Sequence, residues 1–451
     1  MSNVLTRVRF PHPLVLLSGA VFLAAAASWV LPAGSYDRTV DEATGRTVVV
    51  SGTFHGVDPA PVGPFDALVA MPRGMIHAAE IIFLVFLIGG AFTVVDGSGV
   101  LRRGVGWLVG RLGDRTILVI PIISILFATG GALENMQEEI IALMPVLLIL
   151  TSRLGYRPMV AVAMSLGAAV VGSAFSPINP FQVGIAQKLA ELPLLSGAGF
   201  RLVFLFLALG LWISFVVRMA RKTATGVSAA DSGGPEEGLT VRDGLILGLV
   251  AATFAVLVWG ILTQGWGFNH MSGLFFGMGI LAGAVAGMGV AGTADAFARG
   301  FRDMALAALL IGFARAIFVV LEDGRIVDTI VHAMVTPLGG LPTLASALGM
   351  VGTQIAIHFP VPSLSGQAVL TMPVLVPLSD LLGLSRQVTV LAFQYGAGVS
   401  DLIIPTSGSL MAILALADVR YEDWIRWVLP LWGLLVLLGG AGIATAIAVG
   451  L

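Results

Sequence analysis

Along most of the chain apolar residues run with no polar face, in stretches near the ~20 residues that one bilayer-crossing helix requires. Leu14–Pro32, Ile76–Val95, Leu202–Met219, Gly244–Thr263, Phe275–Val290, Met304–Val320 and Trp427–Val449 each predict a crossing. Two regions depart from that rhythm. Thr116–Thr129 and Ile140–Leu150 are apolar but short, and between them stands Gly130-Gly131-Ala132-Leu133-Glu134-Asn135-Met136-Gln137-Glu138-Glu139. Arms too short to cross, joined by a polar tip, predict a re-entrant hairpin over 116–151. Its tip would face protein or a water-filled cavity, because lipid cannot satisfy irregular backbone. A second hairpin is predicted over 344–383, with its tip at Ser363-Leu364-Ser365 and His358 beside it.

Two more apolar segments are too long for one regular helix. Met159–Leu189 is interrupted by Ser176-Pro177-Ile178-Asn179-Pro180, and Val388–Ala417 by Ile404-Pro405-Thr406-Ser407-Gly408. Proline removes a backbone donor and clashes with the preceding turn, so both segments (159–189 and 388–417) predict broken helices. Gly97–Leu112, with Arg102, Arg103 and Arg111, and Arg325–Leu338 predict amphipathic helices at the interface. Asp37–Pro72 reads as a polar loop with a strand-like patch at Thr47–Val50, and Arg221–Glu237 has the composition of a linker.

The two halves superimpose at a shift of 228 residues. Met144-Pro145-Val146-Leu147 falls on Met372-Pro373-Val374-Leu375, Leu154-Gly155 on Leu382-Gly383, and Pro177 on Pro405. Four crossings plus a hairpin per copy is an even number, so the lone helix Gly244–Thr263 would invert the second copy. This divides the chain into a first repeat (1–222), a cytoplasmic linker with its connecting helix (223–271) and a second, inverted repeat (272–451). Lys and Arg concentrate in cytoplasmic loops. With a cytoplasmic N-terminus, sixteen of the 24 fall inside and seven outside, leaving Arg315 in a span.

Composition narrows the class. The chain is 57% apolar and 11% charged, against about 25% charged in soluble domains. An all-α, multi-pass protein of the inner (cytoplasmic) membrane is the expectation, with the lipid bilayer as its first partner. No cysteine is present, which excludes disulfides, thiolate metal sites and thiol nucleophiles. No basic run suggests nucleic acid.

Inverted repeats with discontinuous helices are the scaffold of secondary transporters. A helix unwound at mid-membrane leaves free N–H groups at one new end and free C=O groups at the other. The first attracts carboxylates, and the second, with hydroxyls, can hold Na⁺. The candidate substrate site is therefore Asn135, Gln137, Ser176, Asn179, Ser363, Ser365, Gly366, Thr406 and Ser407, set against small polar residues that merely satisfy kinked backbone. Arg315 is either an anchor for a substrate carboxylate or one half of an ion pair with Glu322 or Glu134. Glu134, Glu138, Asp401 and His358 are candidates for a coupling proton or ion. Capping explains Glu138, Glu139 and Asp401 equally well, and a carbonyl bond would explain His358. No cofactor is implied beyond coupling Na⁺ or H⁺.

The motifs Asn179-Pro180-Phe181-Gln182-Val183-Gly184-Ile185-Ala186-Gln187, Ser365-Gly366-Gln367-Ala368-Val369-Leu370-Thr371-Met372-Pro373 and Leu402-Ile403-Ile404-Pro405-Thr406-Ser407-Gly408 resemble those of the C4-dicarboxylate anaerobic carrier (DcuC-like) family. Gly312-Phe313-Ala314-Arg315 resembles the Gly-x-Ala-Arg segment of its YfcC branch, within the ion-transporter superfamily. The resemblance spans nearly the whole chain. It implies an elevator mechanism, a homodimer, and a C4-dicarboxylate, another short carboxylate or an amino acid as substrate. Related carriers have Ser-Asn-Thr tips, whereas this chain has Asn135-Met136-Gln137 and Ser363-Leu364-Ser365, which leaves Na⁺, H⁺ and pure exchange open. The expected activity is symport or antiport of a small carboxylate-bearing metabolite. The alternatives are a passive channel or an intramembrane hydrolase built on Ser365 and His358, although no metalloprotease or nucleophile-elbow motif accompanies that pair.

Overall fold

The protein is described here by a computed structural model covering residues 13–42, 46–101, 103–104, 113–223, 240–264 and 266–451. Seven helical stretches in it are long and apolar enough to cross a membrane. They include Ala79–Gly97, Ala198–Thr223, Phe268–Val285, Gly289–Asp323 and Tyr421–Val449. With its relatives described below, this makes the chain a multi-pass membrane protein. The other two are Thr116–Leu133 and Leu364–Leu381, one arm of each hairpin. By length and composition these two arms are therefore not too short to cross, the first because a 3₁₀ lead-in lengthens it.

The hairpins and broken helices form at the expected places. Val119–Glu134 and Glu138–Arg153 make the first hairpin, and Thr343–His358 and Leu364–Leu381 the second. Asn135 closes the first arm in the left-handed conformation, φ 55°, which asparagine tolerates better than most residues. Leu364 and Ser365 open the second arm of the second hairpin, so its tip is Phe359–Ser363, earlier than the sequence suggested. The first broken helix runs from Pro158 to Ala174 through a π-turn at Ala163–Gly167, then resumes at Pro180 through a second π-turn and ends at Leu189. The second runs over Arg386–Ser400 and Gly408–Leu416.

Elsewhere helices outgrow their expected bounds. Met304–Val320 is the middle of a 35-residue helix, Gly289–Asp323, about 50 Å long at 1.5 Å per residue. In the first half the helix Pro64–His77 is followed, after a non-helical Ala78, by Ala79–Gly97, so the end of the expected loop 37–72 is helical. These long elements pack at glycine. A Cβ on Gly300 would lie 2.5 Å from the Gly89 carbonyl oxygen and 2.6 Å from Gly90 Cα, so only glycine permits that approach. The predicted strand patch is real: Arg38–Asp41 pairs antiparallel with Arg46–Val49. This cap is tied to the short helix Val327–Val335. Arg38 grips Asp328 through both carboxylate oxygens (3.0 and 2.9 Å), and Tyr36 Oη meets His332 Nδ1 at 3.0 Å. Burial, aided by the Asp328 charge, pushes the Tyr36 phenol up to about 12, so it keeps the proton it donates. Most of the predicted amphipathic helix 97–112, with Arg102 and Arg111, and most of the linker 221–237 lie outside the described residues.

The largest apolar cluster joins both hairpins, both broken helices, Ala198–Thr223 and Tyr421–Val449, and takes in Val85, Ala307, Ala308 and Ile311 of the long helices. Two others join Pro13–Val30, the 64–97 helices, Val241–Gln264, Phe268–Val285 and Gly289–Asp323, with Met411 of the second broken helix among them.

Candidate functional site

The four polar interruptions are tied by buried hydrogen bonds in two sets, one around the first break and one joining the first tip to the second break and the second hairpin. At the first break, Ser176 and Asn179 are fully buried. Ser176 Oγ donates to the Ala132 carbonyl (2.7 Å) and accepts from the amides of Ile178 and Asn179 (3.0 and 2.9 Å). Asn179 Nδ2 donates to the Gly131 carbonyl (2.9 Å), while its Oδ1 accepts from the amides of Phe181 and Gln182, both at 3.0 Å. The amides freed at the break are thus satisfied by its own Ser176 and Asn179 side chains, which in turn donate to the neighbouring hairpin end. Ser173 Oγ donates to Asn135 Oδ1 at the tip (2.6 Å). Gln394, on the opposite broken helix, donates to the Ser176 carbonyl at 2.5 Å.

The second break repeats the arrangement with other chemistry. Thr406 Oγ1 donates to the Phe359 carbonyl at 2.8 Å, as Asn179 does to Gly131. Ser407 caps the resumed helix, accepting from the Leu410 amide at 3.4 Å. Asp401 stands at the break itself, slightly later than expected, and is the C-cap of Arg386–Ser400. Its Oδ1 lies 3.0 Å from His358 Nε2, and its Oδ2 accepts from Gln137 Nε2 at 2.8 Å. Gln137 Oε1 in turn accepts from Ser409 Oγ (3.1 Å). Gln137, at the first tip, therefore joins the two halves. His358 is fully buried, and its Nδ1 lies 2.6 Å from Gln367 Oε1. Both ring nitrogens are engaged, and neither engages Ser365, so the geometry does not assemble the serine–histidine dyad.

The remaining candidates are placed as follows. Ser363 caps the second arm, accepting from the Gly366 amide at 3.2 Å. Ser365 and Gly366 are half-buried in that arm's first turn rather than at the tip. Glu138 and Glu139 open the arm Glu138–Arg153, where the helix N-terminus favours acids. Glu138 lies within electrostatic reach of Asp401 and Glu139. Glu134 ends the first arm, but its side chain falls outside the described residues. Arg315 is half-buried, with its guanidinium 5.0 Å from the Phe318 ring and its buried Nε lacking a hydrogen-bond partner. No acid among the described residues pairs with it, and Glu322 is exposed, so the Glu322 pairing is corrected. Ile311, one turn before Arg315 on the same helix face, packs on Gly408 so closely that an added Cβ there would lie 3.1 Å from its Cγ2. Arg315 thus stands beside the second break.

Sequence reasoning missed the glutamines. Gln182, Gln354, Gln367 and Gln394 are fully buried at or behind the breaks, and only Gln182 and Gln367 fell within the quoted motifs. It also assigned Arg201 to an outside loop. Arg201 is instead fully buried in Ala198–Thr223, donating to Gln394 Oε1 (2.9 Å) and Gln387 Oε1 (3.0 Å). The available signal was a polar residue inside an apolar run. Two surface cavities lie apart from the network: one of about 510 Å³ beside Arg157, Arg420 and Trp427, and one of about 300 Å³ beside Tyr36, Phe54 and His332.

Residues 10–448 match the family model described as C4-dicarboxylate anaerobic carrier. A relative from Escherichia coli K12, named "Putative basic amino acid antiporter YfcC", is 33% identical over 96% of this chain and 95% of its own. An uncharacterised protein of Haemophilus influenzae is 28% identical over 95% of each chain. Among solved structures, the YdaH transporter of Alcanivorax borkumensis aligns at 18% identity and a TM-score of 0.46, covering 98% of this chain and 99% of its own. Neisseria gonorrhoeae MtrF, titled among antimetabolite efflux pumps, aligns at 19% and 0.40, covering 96% and 94%. These two likenesses are distant, and the fold rests on the chain's own geometry.

Proposed function

Since the chain belongs to the C4-dicarboxylate anaerobic carrier family, we propose that it is a secondary active transporter moving a small carboxylate-bearing metabolite across the cytoplasmic membrane. The observation that carries this is that each break is hydrogen-bonded to the end of its own hairpin, and that Gln137 of the first tip also bonds Asp401 at the second break. Free helix ends around a common point can bind a carboxylate and a cation together.

The packing supports two oppositely oriented repeats. The first arm of each hairpin packs on the first half of its own broken helix. The second arm of each packs on the far half of the other: Glu138–Arg153 on Gly408–Leu416, and Leu364–Leu381 on Ile185–Leu189. Such reciprocity is what a two-fold relation produces. The resemblance to the carrier family suggests an elevator. The hairpins, broken helices and their partners would slide as one transport body against a scaffold of the remaining long helices. The short helix Val327–Val335 would be one connecting arm, and a second copy would complete a homodimer through the scaffold.

Within the substrate class, an amino acid fits better than a bare dianion. Glu138, Glu139 and Asp401 would repel a second carboxylate and attract an ammonium, while Arg315 and the helix N-termini take the first carboxylate. The name of the Escherichia coli relative points the same way. A thermal-shift screen of purified protein against amino acids and dicarboxylates, with and without Na⁺, tests the substrate class. A ligand at one hundred times its Kd adds about 2.7 kcal/mol of stability. Saturable counterflow of the selected compound in proteoliposomes is expected, and ohmic current in its place would indicate a channel.

A further inference from the structure

The buried side chains behind the second break fix one another's orientation, and the sequence of constraints ends on one protonatable atom. Thr371 Oγ1 donates to the Gln367 carbonyl (2.8 Å), so it accepts from Gln354 Nε2 (2.9 Å). That turns Gln354 Oε1 toward Gln367 Nε2, which also donates to the Gln354 carbonyl at 2.8 Å. Both amide hydrogens of Gln367 are then committed. Its Oε1 can only accept, so His358 Nδ1, 2.6 Å away, must carry hydrogen. Nε2, facing Asp401 Oδ1 at 3.0 Å, is the ring atom left to titrate. Gln354, Gln367, Thr371 and His358 are all fully buried, so water does not compete for these bonds.

Resting on the carrier reading above, we propose that His358 and Asp401 form the proton-binding site of the transport cycle, one proton being shared between Nε2 and Oδ1. Loaded, the pair is neutral overall, whether written as imidazole with carboxylic acid or imidazolium with carboxylate. Unloaded, it carries one negative charge, and the Nε2 lone pair faces a carboxylate oxygen with no hydrogen between them. Gln367 holds the other ring hydrogen in place, so a tautomer change cannot relieve that repulsion. Proton release therefore favours parting Asp401 from His358, that is, the second break from the end of the second hairpin's first arm. Asp401 also holds Gln137 of the first tip, so one titration reaches both hairpins.

The surrounding charges reinforce the requirement. Glu138, on the first hairpin, lies within electrostatic reach of Asp401, with Glu139 beside it. Of the other titratable groups on neighbouring elements, Tyr395 packs against Phe175, and Asp328 and His332 are held by the strand cap. With Glu138 adjoining, the unloaded pair adds to a local excess of negative charge, which a cation replacing the departed proton would relieve. A cationic group on the substrate would serve, making proton and substrate alternative occupants.

The test uses the full chain in Na⁺-free proteoliposomes, with radiolabelled L-arginine and L-malate as probes, an imposed pH gradient and a luminal pH dye. The expected result is flux of one probe several-fold faster with the gradient than without it, with proton movement in the lumen. His358→Gln and Asp401→Asn, near in shape but unable to titrate near neutral pH, should abolish the response to the gradient. Gln367→Glu, which strengthens the acceptor on Nδ1 and so favours the loaded ring, should displace the pH profile of flux upward. Saturable wild-type exchange indifferent to the gradient overturns the proton site and leaves the carrier standing. So does a gradient response unchanged in His358→Gln or Asp401→Asn, or an unmoved profile in Gln367→Glu. Absence of exchange with amino acids and dicarboxylates alike overturns the carrier reading, and this inference with it.

Discussion

Around the first break, hydroxyls, amides and main-chain carbonyls do the holding: Ser173, Ser176 and Asn179 with the hairpin end, and Gln394 behind them, steadied by Arg201. Around the second, the same hairpin-to-break bond is made by Thr406, but an imidazole and a carboxylate occupy the space behind it. Helices in the first assembly also approach more closely. A Cβ on Gly131 would lie 2.0 Å from the Ala169 carbonyl oxygen, and one on Gly172 2.0 Å from that of Ala128. At Gly396, the corresponding approach to Gln354 and Val351 is 2.7 Å. One plan thus serves as a fixed polar cradle on one side and a group that can change charge on the other. The lesson is that two assemblies built alike from a hairpin and a broken helix need not share their chemistry.

The largest effect should come from crowding the tighter seam. Gly131→Val must displace backbone, since a Cβ at 2.0 Å from a carbonyl oxygen has no rotamer that escapes it. Overpacking of this kind costs about 3 kcal/mol or more, and the variant should lose its folded peak on size exclusion. Gly396→Ala, whose Cβ would lie 2.7 Å from Gln354 Cβ and the Val351 carbonyl oxygen, needs a smaller backbone shift and should fold with a lowered Tm. Equal tolerance at the two glycines would erase the difference between the seams.

Asn179→Ala comes next. It removes two accepted amide bonds, one of them part-buried, and one buried donation to Gly131. A lost cap costs about 1 kcal/mol, and with the stranded Gly131 carbonyl the total is about 2–3 kcal/mol. Ser407→Ala removes one accepted bond at 3.4 Å and the hydroxyl bond to Ser409 at 3.2 Å and should cost about 1 kcal/mol. Thermal melting of the two purified variants compares them directly. Asn179→Ala should also leave the pH dependence of residual transport as it was, because nothing in the first cradle titrates near neutral pH.

Much of this architecture could be read before any coordinates. Proline pairs and glycine–asparagine tips are local breakers, so the breaks at 176–180 and 404–408 and the first tip at Asn135 emerged from composition alone. The second tip was misplaced because Ser363 and Ser365 look alike in sequence, and only backbone geometry makes one a cap and the other a helical residue. The helix Gly289–Asp323 was read short because Arg299, Arg302 and Asp303 mark the end of an apolar run, although not of a helix. Gln354 and Gln367 became neighbours only when the register of their hairpin was known. Arg201 lies near a helix start, where a cation ordinarily faces water. Its acceptors come from a helix almost two hundred residues later.

Arg315 sharpens the comparison from outside both assemblies. Its buried Nε lacks a partner, and its helix touches the second break at Gly408. If it takes the substrate carboxylate, Arg315→Gln removes a charge-assisted bond of about 1.5–3 kcal/mol, or roughly 10- to 100-fold in affinity. The ligand-induced thermal shift should shrink accordingly while the melting temperature of the ligand-free protein changes little. Arg315→Lys should recover part of the affinity, since it keeps the charge and loses the fork. An unaltered shift in Arg315→Gln would move the carboxylate to the first cradle.

The smallest effect expected is at the two tips, where the start of each second arm is satisfied differently. Ser363 caps its arm through the Gly366 amide at 3.2 Å, a bond whose loss in Ser363→Ala is worth about 0.5–1 kcal/mol. Gln137 holds the equivalent position, yet makes no side-chain cap, because its amide is given to Asp401 and its carbonyl oxygen to Ser409. Glu138 and Glu139 then supply the negative charge that favours a helix start. Ser363→Ala should therefore lower the Tm slightly and spare transport. Gln137→Ala should do the reverse: little change in the arm's stability, but loss of the bond between the first tip and the second break, and with it slower exchange. If the two substitutions proved alike in both measurements, the tips would be equivalent caps, and the division between a fixed half and a titrating half would have to be drawn elsewhere.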